Sequence, residues 1–266
     1  MRPYLIMLKN KTALVTGSTS GIGLGMARAL AAQGCNIMLN GFGEAGAIEN
    51  IRASLEKEHS VRAAYHGADL SQPEQIADLV EITLRTFGSV DVLCNNAGIQ
   101  FVAPIEEFPP ERWDQIIAVN LSSAFHTIRH ALPHMRRAGW GRIINTASAH
   151  GLVASVNKVA YVAAKHGIVG LTKVVALETA GSGITCNAIA PGWVRTELVE
   201  KQITARAQQL GLSQEEAAVS LLAEKQPSKQ FVSVEQLGGI VVFLCSEAAA
   251  QITGATIASD GGWTAQ

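Results

Sequence analysis

A tyrosine and a lysine four residues apart, Tyr161 and Lys165, lie in a stretch whose apolar residues recur with helical spacing. Residues at i and i+4 share one face of a helix, so the phenol and the ammonium are expected side by side. A phenol loses its proton at about pH 10 in water, and a neighbouring positive charge favours the phenolate. The pair is therefore suited to exchanging a proton with an alcohol.

A hydroxyl that completes this chemistry is Ser148, thirteen residues before Tyr161 and just after a β-like stretch. It is suited to hydrogen-bonding a substrate oxygen on which negative charge develops. A tyrosine and a lysine at this spacing occur often by chance. Serine, tyrosine and lysine in this order are a more specific signal, and they predict acid–base catalysis at a carbon that bears oxygen.

A glycine-rich segment, TGSTSGIG at residues 16–23, follows a predicted strand and opens a predicted helix. Glycine permits a tight turn, and the amino terminus of a helix offers unpaired N–H groups to a pyrophosphate. The segment therefore predicts a dinucleotide site. The alternative is a glycine-rich turn without a ligand.

The elements that position these residues alternate between short β-branched runs and longer helical patterns, which is typical of a parallel sheet covered on both faces. We predict an α/β fold: a single Rossmann-type domain over residues 1–266, with a doubly wound parallel sheet of about seven strands. A helix after the third strand is predicted to begin with a capping box of Ser71 and Glu74, with Pro73 in its first turn. The predicted strands cover residues 12–16, 35–40, 61–65, 90–94, 142–146, 184–189 and 255–258.

An insertion of about residues 193–227 follows the sixth strand. Ser213 and Glu216 form a second predicted capping box within it, so we expect two helices. Sheets of this kind bind ligands at the carboxyl ends of their strands. The insertion is therefore expected to act as a lid over the substrate.

The composition argues against a protein that binds nucleic acid or a membrane. The net charge is −1 over 266 residues, which leaves no basic surplus for nucleic acid or an anionic membrane. We find no export signal, and apolar runs such as residues 239–245 are too short for a bilayer, so we expect a cytoplasmic protein. Four widely spaced cysteines are predicted to be reduced and buried.

Three histidines, His126, His130 and His134, repeat every four residues, as metal ligands on a helix would. No acidic ligand accompanies them, and Pro133 is expected to interrupt the helix. We therefore predict no metal and favour a packed or subunit-facing surface.

The glycine spacing GxxxGxG, the pair Asp69 and Leu70 after the third strand, the NNAG turn at residues 95–98 and the serine–tyrosine–lysine order together resemble the short-chain dehydrogenase/reductase family. The likeness covers nearly the whole chain. It implies hydride transfer between a nicotinamide dinucleotide and a secondary alcohol or ketone, in a homotetramer. It also implies that Lys165 holds the nicotinamide ribose and that Asn120 anchors a water which passes protons to this lysine.

The residue roles implied by the resemblance are as follows. The catalytic residues are Asn120, Ser148, Tyr161 and Lys165. The cofactor contacts are Gly17, Thr19, Ser20, Gly21, Ile22, Gly23, Phe42, Asp69, Leu70, Asn96, Ala97, Gly98, Tyr161, Lys165, Pro191, Gly192, Val194 and Thr196.

The form of the cofactor depends on the end of the second strand, residues 40–43. The 2′-phosphate of NADP would need an arginine or a lysine, and neither occurs there or in the glycine-rich segment. NAD is therefore predicted, although the acidic residue that often binds the ribose hydroxyls is also missing.

Residues 147–203 and 224–232 are similar to those of family members that oxidise (R)-3-hydroxybutyrate to acetoacetate with NAD⁺, a reaction of ketone body metabolism. Lys158 and His150 are suited to binding a carboxylate, although each alone is also typical of a surface lysine or a loop histidine. Phe101 departs from the histidine expected beside the matched glutamine. The implied substrate residues are Gln100, Ser148, His150, Lys158, Tyr161, Trp193, Gln202 and Trp263.

Two alternatives remain open. An NADP-dependent reductase of 3-oxoacyl thioesters would need a basic 2′-phosphate site and an open pocket. A regulatory nucleotide-binding protein on an inactive scaffold would have lost at least one catalytic residue, whereas all four are present.

Overall fold

The computed structural model describes residues 7–265, apart from the side chain of Leu198. Residues 1–6 and Gln266, the two ends of the predicted domain, lie outside the described residues.

Seven strands form one parallel sheet in the order β3-β2-β1-β4-β5-β6-β7. After β3 the chain crosses back to place β4 beside β1, and this reversal opens a crevice at the carboxyl ends of the strands. The strands are β1 (Thr12–Val15), β2 (Asn36–Asn40), β3 (Ala63–His66), β4 (Val92–Asn95), β5 (Gly141–Thr146), β6 (Ile184–Pro191) and β7 (Thr256–Ser259). The predicted Rossmann-type sheet is confirmed, with each strand within two residues of its expected bounds.

Helices cover both faces of this sheet. One face packs against α1 (Gly21–Ala31), α2 (Ala45–His59) and α9 (Val234–Cys245) through a core that includes Val15 and Leu39. The alternate residues, Leu14 and Met38, face α3 (Pro73–Phe87), α5 (Ser123–Ala138) and α6 (Val159–Thr179). A short helix α4 (Pro110–Ile117) runs through a π-helical turn (Ala118–Ser122) into α5. The alternation of buried residues follows the pleat of each strand.

The capping box predicted from Ser71 and Glu74 is wrong. The N-cap of α3 is Gln72, without a side-chain capping bond, while Pro73 does occupy the first turn. Ser71 instead donates from its N–H (2.9 Å) and its Oγ (2.8 Å) to the Asp69 carboxylate. A charged acceptor two residues earlier competes successfully for the hydroxyl.

The expected interruption at Pro133 is also wrong, because α5 continues through it to Ala138. A proline removes one helical hydrogen bond. Ile128, Ala131 and Met135 are nearly fully buried on the same helix, and this packing holds α5 together across the defect.

The predicted two-helix insertion is confirmed as α7 (Glu197–Leu210) and α8 (Gln214–Lys225). Both bonds of the Ser213–Glu216 capping box are present. The two helices share an apolar cluster of their own, in which residues such as Ile203 and Leu222 meet Trp193 and Trp263. The insertion is thus a separate layer seated on the ends of β6 and β7.

By length and composition alone, α6 is apolar enough to cross a bilayer. The inner side of this helix packs against the sheet, burying Ile168, Thr172 and Val175. A core helix of this kind passes the same test, and its contact with the sheet accounts for its apolar character.

Candidate active site

A cavity of about 760 Å³ lies at the carboxyl edge of the sheet, under α7. Most residues predicted for the cofactor and the substrate meet there, although they come from every part of the chain. Those lining it are Gly17, Thr19, Ser20, Gly21, Ile22, Phe42, Asp69, Leu70, Asn96, Ala97, Gly98, Gln100, Ser148, His150, Lys158, Tyr161, Lys165, Pro191, Gly192, Trp193, Val194, Thr196, Gln202 and Trp263.

The glycine-rich turn presents backbone to the cavity. Gly17 and Gly21 have φ angles of +62° and +53°, a region that favours glycine, and a Cβ on Gly17 would lie 2.9 Å from Ala97 Cα. Ser20, the N-cap of α1, makes no side-chain capping bond. The first amides of α1 therefore lack a side-chain acceptor, as a pyrophosphate site at a helix terminus requires.

Asn96 braces this turn from the neighbouring strand. Its Nδ2 donates to the carbonyl oxygens of Thr16 (3.0 Å) and Gly17 (3.2 Å), while Thr16 Oγ1 accepts the Asn96 N–H (2.9 Å). Gly23 lies outside the cavity wall, where a Cβ would come within 2.2 Å of the Gly17 oxygen. Gly23 thus allows close packing beneath the turn.

At the end of β2, the buried Asn40 donates to the carbonyl oxygens of His66 (3.1 Å) and Ala68 (3.0 Å). Phe42 is 69% exposed at the rim of the cavity, and its carbonyl oxygen accepts from Thr19 Oγ1 at 2.8 Å. Among the described residues lining this end of the cavity there is no arginine or lysine.

Ser148, Tyr161 and Lys165 converge on one spot of the cavity wall. Ser148 lies near enough to Tyr161 for its hydroxyl to lower the pKa of the phenol. Lys165 Nζ donates to the Thr146 carbonyl oxygen at 2.6 Å and lies 5.6 Å from the centre of the Tyr161 ring. The His150 N–H donates to Ser148 Oγ at 3.2 Å, which leaves the hydroxyl proton of Ser148 for another acceptor.

Burial dominates the titration of this group. It raises the pKa of Tyr161, against the opposing effect of the Ser148 hydrogen bond. It also lowers the pKa of Lys165 to about 8. The sequence-based expectation is a phenol pKa lowered by the ammonium with the help of oxidised nicotinamide. In the protein alone the loss of hydration outweighs the effect of Ser148 on the phenol, because the charged form is penalised.

Asn120 lies in the π-helical turn between α4 and α5, outside the cavity wall. Its Oδ1 accepts from the Ile99 N–H at 2.8 Å, and its Nδ2 donates to the Ile99 oxygen at 2.9 Å. The side chain therefore ties this turn to the segment that follows β4. Its implied role as a water anchor remains a prediction.

The substrate end of the cavity combines aromatic walls with cationic and polar groups. The rings of Trp193 and Trp263 stack with centroids 5.7 Å apart, and His150 packs edge-on to Trp263 at 5.0 Å. Lys158 Nζ donates to Gln202 Oε1 at 3.4 Å, joining the start of α6 to α7. Burial lowers the pKa of Lys158 to about 8, and burial followed by the charge of Lys158 lowers the pKa of His150 to about 3.

Sequence reasoning missed several groups that shape the site. The Thr146 carbonyl oxygen, which holds Lys165, is a backbone atom without a sequence signal. Ser155 Oγ lies 2.9 Å from His150 Nε2. Nothing in the sequence distinguishes this serine from others in loops, because the contact depends on how the loop folds. Other residues that line the cavity without having been predicted are Asn40, Gly41, Ala68, Ile99, Gln115, Val119, Ala147, Glu197, Val199 and Lys201.

The histidine repeat on α5 forms no metal cage: in the described part of the chain, no group of three or more His, Cys, Asp or Glu side chains is placed to hold an ion. His126 packs edge-on against Phe125, with ring centroids 5.0 Å apart. His134 Nδ1 lies 2.7 Å from Arg137 Nη2.

A glycine turn at the reversal point of a doubly wound sheet, next to a half-buried tyrosine and a buried lysine, defines the site of a dinucleotide-dependent oxidoreductase. The family model described as enoyl-(acyl carrier protein) reductase matches residues 17–264. The chain belongs to the short-chain dehydrogenase/reductase family, whose cofactor is a nicotinamide dinucleotide.

Similarity to particular members is high. The chain is 62% identical to the D-beta-hydroxybutyrate dehydrogenase of Cupriavidus necator over 260 residues, 98% of this chain and 100% of that protein. It is 55% identical to the D-beta-hydroxybutyrate dehydrogenase of Rhizobium meliloti, covering 96% of this chain and 99% of that protein. The L-sorbose reductase from Gluconobacter frateurii, solved with NADPH and L-sorbose, superposes with a TM-score of 0.93 at 30% identity, covering 99% of this chain and 100% of that one.

Proposed function

We propose that this protein catalyses the reversible oxidation of (R)-3-hydroxybutyrate to acetoacetate with NAD⁺. The observation that carries the proposal is a single cavity in which Lys158 and His150 lie beside the acid–base pair of Tyr161 and Ser148. The cavity thus offers a binding group for a small carboxylate next to a proton acceptor for its hydroxyl. Two dehydrogenases of this substrate that are 62% and 55% identical support the same reaction.

The proton chemistry belongs to three side chains. Tyr161 Oη takes the proton of the substrate hydroxyl, while the Ser148 hydroxyl donates to the same oxygen and fixes its position. The Lys165 ammonium, held by the Thr146 carbonyl oxygen, stabilises the phenolate. A bound oxidised nicotinamide would supply the hydride acceptor and additional positive charge. Asn120 is the proposed end of the proton relay.

The carboxylate is proposed to bind between Lys158, Gln202 and His150, with Gln100 in the wall of the same cavity. A desolvated carboxylate needs a charged or multiply donating partner, which the ammonium of Lys158 provides. Trp193 and Trp263 form the apolar wall that contacts the methyl group. Gln202 is a residue of α7 and its side chain accepts a hydrogen bond from Lys158. We therefore propose that α7 acts as a lid over the substrate.

NAD⁺ is preferred to NADP⁺ in this proposal. The lysines that line the cavity, Lys158, Lys165 and Lys201, belong to α6 and its N-cap or to α7, not to the end of β2. A 2′-phosphate at β2 would meet Asn40, Gly41 and Phe42 without a cation.

The test follows the absorbance of reduced nicotinamide with each enantiomer of 3-hydroxybutyrate, using NAD⁺ and NADP⁺ separately. We expect turnover of the (R) enantiomer with NAD⁺ at least about tenfold above every other combination, a preference of about 1.4 kcal/mol. Activity with NADPH and a 3-oxoacyl thioester, but not with the free acid, would instead establish the alternative reductase. Dinucleotide binding with no turnover of either would establish a regulatory protein.

A cytoplasmic homotetramer is part of the same proposal, and the family resemblance implies the tetramer. No nucleic acid, membrane or metal is required by the mechanism. Analytical ultracentrifugation of the purified protein at micromolar concentration is expected to give a single tetrameric species, and a stable monomer would contradict this assembly.

A further inference from the structure

His150 is held by a hydroxyl that lies outside the substrate cavity. Its Nε2 is 2.9 Å from the Oγ of Ser155, five residues later in the loop that precedes α6. The ring packs edge-on against both Trp263 and Tyr161, with ring centroids 5.0 and 5.9 Å away. These contacts fix the plane of the ring. The hydrogen bond to Ser155 then determines which of the two ring orientations, related by a 180° flip, His150 adopts.

A neutral imidazole carries one N–H and one bare nitrogen. His150 is 4% exposed, and burial keeps it in the neutral form at pH 7 by lowering its pKa to about 3. Since Nε2 is engaged by Ser155 and the residue lines the cavity, Nδ1 is the ring nitrogen left for a ligand. A carboxylate only accepts hydrogen bonds, so it binds at Nδ1 only when the proton is there.

We propose that Ser155 is a positioning residue whose hydroxyl donates to His150 Nε2, keeping the proton on Nδ1 so that Nδ1 donates to the substrate carboxylate. With the reverse arrangement, Nε2–H to Ser155 Oγ, a bare Nδ1 would face the carboxylate and repel it. The inference rests on the proposed function and adds to it the group that selects an anionic substrate.

The loop that carries Ser155 has an anchor of its own. The Ala103 N–H donates to the Asn157 oxygen at 3.0 Å, and Val156 is 84% exposed. Removal of the Ser155 hydroxyl is therefore expected to leave the loop in place. Val156→Ala is the matched control, because it alters the same loop without touching His150.

The kinetic test compares Ser155→Ala, Ser155→Thr and Val156→Ala in the full-length enzyme, with (R)-3-hydroxybutyrate and saturating NAD⁺. A lost hydrogen bond to a charged group is expected to raise KM about tenfold or more in Ser155→Ala. The kcat should change less than about twofold, because the bond serves the ground state and the transition state equally. Ser155→Thr, which keeps the hydroxyl, and Val156→Ala should both remain near the wild type.

The same substitution in a His150→Gln background separates positioning from loop structure. If Ser155 acts through His150, Ser155→Ala adds little to the KM of His150→Gln. An equal further rise in that background, or an unchanged KM in the single variant, would overturn the inference.

The tautomer itself is measurable without a Ser155 variant. Long-range ¹H–¹⁵N spectra of the histidine-labelled wild-type enzyme distinguish a protonated from a bare ring nitrogen, and His150→Gln assigns the signals. We expect Nδ1–H and a bare Nε2, while Nε2–H would contradict the inference. If the wild type fails to oxidise 3-hydroxybutyrate, the proposed function is wrong. The measured tautomer of His150 still tests the role of Ser155 in that case.

Discussion

Tyr161 lies in the cavity wall, where burial raises the pKa of its phenol, and it is beside an ammonium that burial makes easier to deprotonate. The phenol is therefore neutral at pH 7 before a cofactor binds, whereas Lys165, with a pKa of about 8, is still mostly an ammonium. A proton acceptor of this kind is needed for turnover but not for holding a dinucleotide.

Tyr161→Phe is expected to reduce kcat by about 10²–10⁴-fold, the usual contribution of a positioned acid or base. The ring and its contact with His150 remain, so the dinucleotide affinity should stay close to that of the wild type. Absorbance of reduced nicotinamide and a fluorescence titration measure the two quantities. Tyr65→Phe, at the exposed Tyr65–Gly41 hydrogen bond, should keep its kcat. Retained turnover in Tyr161→Phe would exclude this residue as the base.

The proposed role of Lys158 in binding the carboxylate would make substrate binding depend on pH. Burial lowers its pKa from the usual 10.5 to about 8, so the ammonium is present below that pH and is lost above it. The KM for 3-hydroxybutyrate is therefore expected to rise as the pH increases through about 8. Lys158→Met should have a high KM that no longer varies there, with the exposed Lys173→Met on α6 as control. A KM independent of pH in the wild type would contradict the assignment.

Two helices begin with the same capping arrangement but serve different parts of the molecule. Ser213 caps α8 in the insertion, and Ser233 caps α9 against the central sheet. Loss of such a cap costs about 1 kcal/mol, enough to change a local equilibrium about fivefold. The consequence depends on what each helix supports.

Ser213→Ala is expected to raise KM by about fivefold while Tm stays nearly constant, because it loosens only the insertion. Ser233→Ala is expected to lower Tm by about 2–4 °C with an unchanged KM. Steady-state kinetics and thermal unfolding of both variants provide the comparison. Equal shifts of Tm in the two variants would show that the insertion unfolds together with the sheet.

Over the whole molecule, all four cysteines are buried. Cys35, Cys94 and Cys245 belong to one core cluster, and burial raises the pKa of each thiol; it brings that of Cys186 to about 12. A neutral, enclosed thiol reacts only when the structure opens. A thiol reagent at about pH 8 is expected to modify the native protein slowly and with one common rate, and the denatured protein at four sites. A single fast-reacting thiol in the native protein would refute a uniformly closed core.

The parts of this protein that sequence alone determined are those set by local periodicity and chain order. β-branched runs predicted the sheet, the glycine-rich segment predicted the tight turn before α1, and the spacing of Tyr161 from Lys165 predicted that the two side chains lie close together. The insertion's two helices followed from apolar spacing and the Ser213 cap. In each case the deciding interaction lies within a few residues along the chain.

Other features of the protein depend on groups that only the tertiary structure brings together. They are the choice of hydrogen-bond partner, the continuity of a helix and the direction of a pKa shift. The Ser71 hydroxyl donates to Asp69 instead of capping α3. The packing of α5 keeps this helix continuous through Pro133. The direction of the Tyr161 pKa shift follows from burial, which no spacing reveals. A side chain loses its hydration only when segments far apart in the chain pack around it. The pKa shifts of the site therefore depend on the folded structure.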